Sequence, residues 1–190
     1  GHSFPTRRSS DLRGTREEDA KMTYKIAVCD DEATELKYLS LLVTAWVKQS
    51  DNIAAVSTFE SAEAFLFDYA EHKDYHIILL DIEMGKLNGV ELAKQIRADN
   101  RSIIIIFITG FPDFIAEGYE VSALHYLMKP VSSEKLSEVL DRACINLSKA
   151  ERSILFNIDG ESVRVLADKI IFVEAFAHSI IVNTANNAFE

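Results

Sequence analysis

The chain has 190 residues, a hydrophobic share of 48%, a charged share of 26% and a formal net charge of −10. That length accommodates one well-buried domain and part of another, and the composition excludes a wholly disordered chain. The acidic balance opposes broad attraction to nucleic acid, and the longest strongly apolar run, Ile103 to Ile108, is a strand's length and too short to span a bilayer.

Residues 1–22 combine Pro5, Arg7-Arg8, Ser9-Ser10 and the mixed-charge cluster Arg16-Glu17-Glu18-Asp19 without apolar periodicity, so they are expected to be unstructured. His2 to Leu12 also resembles the in-frame translation of a sequencing-library adapter, in which case the native chain starts at Met22. The acidic cluster argues against a transit peptide.

From Tyr24 the pattern alternates. Lys25 to Asp30 reads as a strand, and Ala33 to Lys48 as a helix with Leu36, Leu39, Leu42, Val43 and Val47 turned inward. Ile53 to Phe59 is a second strand. Ser61 is a suitable N-cap for a helix through Ala70, with Phe65, Leu66 and Tyr69 making its apolar contacts. His76 to Asp81 places four apolar residues before one carboxylate, the pattern of a strand buried on both faces that delivers an acid to its exposed end. Ile82 to Gly89 reads as a loop and Val90 to Arg97 as a helix, with Val90, Ala93 and Arg97 on one face and Leu92 and Ile96 widening the stripe. Ser102 to Thr109 is a fourth strand, followed by a short helix near Asp113 to Tyr119. Ala123 to Met128 is a fifth strand, and Ser132 or Ser133 caps a helix to about Lys149. Strict alternation predicts an α/β fold, a five-stranded parallel doubly wound (flavodoxin-like) sheet with helices on both faces.

After Ala150-Glu151 the pattern changes to short strands at Ser153–Ile158, Ser162–Leu166, Ile170–Glu174 and Ser179–Asn183, with a turn at Asp159-Gly160. The expected organisation is therefore a leader over 1–22, an α/β domain over 23–150 and a partial β-rich domain over 151–190. Cys29 and Cys144 fall inside a predicted strand and a predicted helix with no secretory segment before them, which favours buried free thiols in a reducing cytoplasm.

Ligand sites in such sheets lie at the carboxyl ends of the strands, beside the point where the strand order reverses. That rim collects Asp30 and Asp31 after the first strand, Asp81 after the third, Thr109 at the end of the fourth and Lys129 after the fifth. Three close carboxylates repel one another unless a cation compensates, and hard oxygen ligands suit Mg²⁺.

Cys-Asp-Asp-Glu at 29–32, Leu-Leu-Asp-Ile-Glu-Met at 79–84, Asn88-Gly89, Ile-Thr-Gly at 108–110 and Tyr-Leu-Met-Lys-Pro at 126–130 stand in order, each at the end expected of its strand. In this the chain resembles the receiver domain of two-component response regulators from Tyr24 to about Lys149. The resemblance implies that Asp81 accepts a phosphoryl group from a phosphohistidine on a sensor histidine kinase. It implies that Asp31 and Asp81 bind Mg²⁺, with Asp30 acting through a metal-bound water and the Glu83 backbone carbonyl completing the protein ligands. Lys129 and Thr109 would hold the phosphoryl oxygens, and Tyr126 would turn inward as Thr109 moves. Gly85 stands where the family often has proline and His125 where an acid is common; neither departure removes a phosphotransfer group.

Leu166 to Glu174 followed by His178 resembles the start of a LytTR DNA-binding domain, which implies DNA as a partner of the full-length parent, transcription as the output, a homodimer on phosphorylation and His178 as a DNA contact. The fragment itself is slightly acidic and gives phosphate binding no electrostatic support.

Plainer readings accompany each position. Asp-Asp-Glu can be the solvated start of a helix, Thr109 a strand-end hydroxyl, Lys129 a surface charge and Tyr126 a core aromatic; His178 can pack on its own sheet, and His72 and His76 lack metal-ligand spacing. A receiver-only relay acting by protein binding is the alternative output. A haloacid-dehalogenase-like phosphohydrolase is disfavoured because Glu83 replaces its second aspartate, and a flavodoxin because Asp30-Asp31-Glu32 would repel a flavin phosphate. No turnover of an external substrate is expected.

Overall fold

A computed structural model of the chain describes residues 23–110, 120–151, 153–158, 161–175, 180–184 and 188–189. The leader, the expected helix near Asp113 to Tyr119, the Asp159-Gly160 turn and His178 lie outside the described residues. Five strands, β1 (Thr23–Cys29), β2 (Ile53–Phe59), β3 (Ile77–Leu80), β4 (Ile104–Thr109) and β5 (His125–Met128), form one parallel sheet in the order β2-β1-β3-β4-β5. Helices α1 (Ala33–Gln49), α2 (Ala62–Glu71), α3 (Gly89–Asp99) and α4 (Ser133–Glu151) connect and flank it. This is the expected doubly wound α/β fold.

The period of two along each strand divides the core into halves. Ile26, Val28, Ile77, Leu79, Ile106, Ile108 and Leu127 face α1 and α4, where Leu39, Val43, Leu140 and Ala143 meet them. Ala27, Cys29, Ile78, Leu80, Ile105 and Phe107 face α2 and α3 and pack with Phe65, Tyr69, Leu92 and Ile96. Because β3 is buried on both faces, its continuous apolar sequence is what the position requires. On α1 the inner face differs from expectation: Trp46 is buried there, while Leu42 and Val47 are only partly covered. The indole Nε1 of Trp46 donates to Asp141 Oδ1 at 2.8 Å and so ties α1 to α4.

The helix starts follow local chemistry. The Ser61 hydroxyl accepts the Ala64 N–H at 3.0 Å, Asn88 and Glu91 form a reciprocal capping box, and the Ser132 hydroxyl accepts the Lys135 N–H at 3.2 Å. The segment between β3 and α3 is a loop, as expected, but it is anchored, since Ile82 and Met84 are buried in the core beside Val90. Both thiols are buried and free, and burial raises the pKa of each, that of Cys144 to about 11.

Beyond α4, β6 (Ser153–Ile158) and β7 (Glu161–Leu166) form an antiparallel hairpin. β8 (Ile170–Ala175), β9 (Ile180–Thr184) and β10 (Ala188–Phe189) form an antiparallel sheet, with a register shift between Ile170 and Phe172. The two-residue β10 has no counterpart in the sequence reading, because so short a segment carries no periodicity. No helix among the described residues is long and apolar enough to cross a membrane.

Arg97 closes the end of the α/β unit remote from the acid rim. Its guanidinium donates to the carbonyls of Val121 at 2.6 Å and Ile103 at 2.6 Å, with a longer bond to Asn100 at 3.3 Å. Three chain segments thus converge on one planar donor group, the start of β4 and the approach to β5 among them. Burial lowers the Arg97 pKa from its very high ordinary value, yet the five-donor fork suits several carbonyls presented together. Replacing Arg97 with Met keeps the apolar stem and strands these carbonyls, so urea denaturation of Arg97→Met is expected to register a loss of about 2 kcal/mol.

Candidate functional site

The sheet registers bring the predicted rim together. Cys29 pairs with Leu80, so Asp30 and Asp81 leave adjacent strands side by side, and the Asp81 N–H donates to the Cys29 carbonyl at 2.9 Å. Thr109 pairs with Met128, which places Lys129 one residue beyond it, and the Lys129 N–H donates to the Thr109 carbonyl at 2.9 Å. β1 and β3 are the strands between which the connections diverge to opposite halves of the sheet, the switch point at which ligand crevices form.

Carboxylate oxygens of Asp30, Asp31 and Asp81 all lie within 4.8 Å of one another. Asp30 is fully buried and Asp81 is 5% exposed, so the third strand delivers its acid to a sheltered position, where the sequence had suggested an open one. Asp31 is exposed, and its Oδ2 accepts the Gly85 N–H at 3.3 Å. Lys129 reaches across the cluster, with Nζ 2.7 Å from Asp30 Oδ2 and 2.8 Å from Asp81 Oδ2. The first contact lacks hydrogen-bond geometry, so this buried Asp30 oxygen has a compensating charge and no directed donor. The other Asp30 oxygen accepts the Glu32 N–H at 2.9 Å, and Asp81 Oδ1 accepts the Ile82 N–H at 2.6 Å.

Burial dominates the electrostatics. It pushes the Asp30 carboxyl above the ordinary range; Lys129 and the Glu32 amide pull it down without cancelling that rise, and the Asp81 charge adds to it. For Lys129, burial alone favours the neutral amine, but the ion pairs with Asp30 and Asp81 outweigh it and hold the ammonium above its ordinary pKa. An anionic cluster with a single ammonium over it is short of positive charge. The all-oxygen donor set and the undirected Asp30 oxygen fit a hard divalent cation.

The remaining predicted residues divide. Thr109 is fully buried at the end of β4. Glu83 borders a groove of about 390 Å³ together with Asp31, Ile82, Met84, Gly85 and Asn88, beside the acids. Tyr126 is half-buried on β5, its ring 5.7 Å from that of Phe107 and tilted by 47°. The other histidines serve locally: His76 Nδ1 accepts the Lys25 N–H at 2.9 Å, and His72 lies 3.2 Å from Asp68.

A profile described as response regulator receiver domain matches residues 26–141. The sensory transduction protein LytT of Oceanobacillus iheyensis is 26% identical over 174 residues, covering 87% of this chain and 69% of that protein. The transcriptional regulatory protein NatR of Bacillus subtilis is 30% identical over 166 residues, covering 85% and 68%. A solved receiver domain protein from Clostridium thermocellum is 25% identical with a TM-score of 0.58, covering 67% of this chain and 97% of that one.

Gly89 has a role that its place in the Asn88-Gly89 motif does not reveal. Its N–H donates to the Ile82 carbonyl at 2.8 Å, and a Cβ there would fall 2.0 Å from the Asp81 carbonyl oxygen. The neighbour is backbone, so no side-chain rotation relieves the clash. The absent side chain is thus what lets the first turn of α3 close over Asp81. Gly89→Ala is expected to cost roughly 1–3 kcal/mol by overpacking, read by urea denaturation, and to weaken Mg²⁺ binding in calorimetry by displacing Asp81.

Proposed function

The chain belongs to the response regulator receiver family, and from that premise we propose that Asp81 is its phosphoacceptor, charged by a sensor histidine kinase. Members of the family are switched proteins and not enzymes that turn over an external substrate. The observation that carries the assignment is the bridge from Lys129 Nζ to Asp30 and Asp81 at 2.7 and 2.8 Å, over a cluster whose third member is Asp31.

In the proposed reaction an Asp81 carboxylate oxygen attacks the phosphorus of a phosphohistidine. The P–O bond forms as the P–N bond breaks, and the imidazole leaves with the electron pair. Asp30, Asp31, Asp81 and the Glu83 backbone carbonyl would hold Mg²⁺, whose charge offsets that of the carboxylates and the incoming phosphoryl group. Lys129 is already paired with Asp81 and stays charged, so it can pass from carboxylate to phosphoryl oxygen with little movement. Thr109 supplies a hydroxyl to a second phosphoryl oxygen, and Tyr126 follows into the space Thr109 leaves.

The mark adds about −1.5 to −2 charges and new acceptor oxygens. Moving a two-state equilibrium from 1:99 to 99:1 takes about 5.5 kcal/mol, more than one hydrogen bond supplies. Hydroxyl, ammonium and metal therefore act together.

For the output we propose residues 23–150 as the receiver and 151–190 as part of a LytTR-type DNA-binding domain, with His178 as a DNA contact and dimerisation on phosphorylation as the link to transcription in the cytoplasm. What supports this is the strand sequence after α4 and the extent of the likeness to LytT and NatR, which reaches beyond the receiver. Incubation with acetyl phosphate and Mg²⁺ followed by intact-mass measurement is expected to find one phosphoryl addition on the native chain and nearly none on Asp81→Asn or with EDTA; undiminished labelling of the variant would sink the assignment. A chain extended to the length of LytT or NatR is expected to bind specific DNA more tightly once phosphorylated, measured by gel shift, and specific binding by neither form overturns the transcriptional output.

A further inference from the structure

How often the Lys129 ammonium occupies its place between two carboxylates depends on where its backbone is held, because the flexible four-carbon stem otherwise samples many positions. The Lys129 N–H is anchored to the Thr109 carbonyl at 2.9 Å, and the loop beyond it needs its own anchor. The loop from Lys129 to Ser132 joins β5 to α4. Pro130 has no N–H to anchor it. The Val131 side chain is buried among the residues facing α1 and α4, and the Val131 carbonyl accepts the Tyr38 hydroxyl at 2.8 Å.

Tyr38 comes from α1, the helix that begins two residues after Asp31, and it is 40% exposed. Its ring is not core filling. The hydroxyl is its specific contact, joining residues 93 apart in sequence. Tyr38 lies five residues into α1, about 7.5 Å along its axis. One rigid helix therefore follows directly on the Asp30-Asp31 side of the site and grips the loop that carries the lysine side.

We propose that Tyr38 is a positioning residue for phosphoryl binding, holding the Val131 carbonyl so that the Lys129 ammonium stays over Asp30 and Asp81. This role rests on the phosphoacceptor reading of Asp81. It also divides the site's two ligands. Mg²⁺ is held by the acids and needs nothing from Tyr38, whereas a phosphoryl group needs Lys129 in register, and sub-ångström placement of such groups governs their effect. A loosened Lys129 competes less with a cation for the carboxylates.

The test is calorimetric titration of the 190-residue chain with Mg²⁺ alone and with beryllium fluoride in saturating Mg²⁺, a tetrahedral stand-in for the phosphoryl group. Tyr38→Phe retains the ring and removes the donor. Its affinity for beryllium fluoride is expected to fall about five- to tenfold, with Mg²⁺ binding unchanged or tighter. In a Lys129→Ala background, Tyr38→Phe is expected to add no further loss of beryllium fluoride affinity. Undiminished binding of beryllium fluoride to Tyr38→Phe overturns the proposal. So does an equal fold-loss in both backgrounds, or a parallel loss of Mg²⁺ affinity, because either outcome marks a merely structural contact. If the unsubstituted chain binds Mg²⁺ but no beryllium fluoride, the phosphoacceptor reading fails and the Tyr38 role fails with it.

Discussion

Three carboxylates gathered at the end of a buried sheet repel one another, and at an effective dielectric near 20 two such charges about 4 Å apart cost roughly 4 kcal/mol. The Lys129 ammonium, seated between Asp30 and Asp81, is the protein's own partial answer. It leaves the cluster short of positive charge. That deficit is the useful property: the site is held together well enough to fold and incompletely enough to welcome a divalent cation.

Everything else in the α/β unit fixes the relative positions of those charges. Backbone bonds between strand ends, from Asp81 to Cys29 and from Lys129 to Thr109, set the heights of the acids and the lysine along the rim. Gly89 lets α3 close over the Asp81 carbonyl where any side chain would wedge it open. The Trp46 bond to Asp141 ties α1 to α4 on one face of the sheet.

The two ends of the sheet use opposite electrostatic solutions. At the acid rim, charged groups are crowded and compensated by one another, an arrangement sensitive to any ion or group that enters. At the far end, Arg97 donates to backbone carbonyls, and no carboxylate pairs with it among the described residues. One end thus holds interacting charges and the other ties strand ends to a single cation. The β strands beyond α4 present Ile171, Phe172 and Val173 in a row with at least half of each side chain exposed, unlike any strand of the parallel sheet.

Over the described residues, the sequence alone determined the alternation of strands and helices, the region in which each parallel strand ends and the identity of the residues delivered there, because periodicity and strand-end position are local properties. His76 to Asp81 and the β-branched run at 103–106 carry their burial in their composition, and Ser61 and Asn88 announce helix starts by short-range bonding. Distances across the sheet are a different matter. That Lys129 bridges Asp30 as well as Asp81, that Asp81 is sheltered, that Trp46 joins the inner face of α1 while Leu42 and Val47 pack at its margin, that Gly89 touches Asp81 and that Tyr38 grips Val131 are all consequences of strand register and helix packing between residues remote along the chain. Such contacts leave no periodic trace in one sequence. Only the assembled sheet, with its helices packed on both faces, decided them.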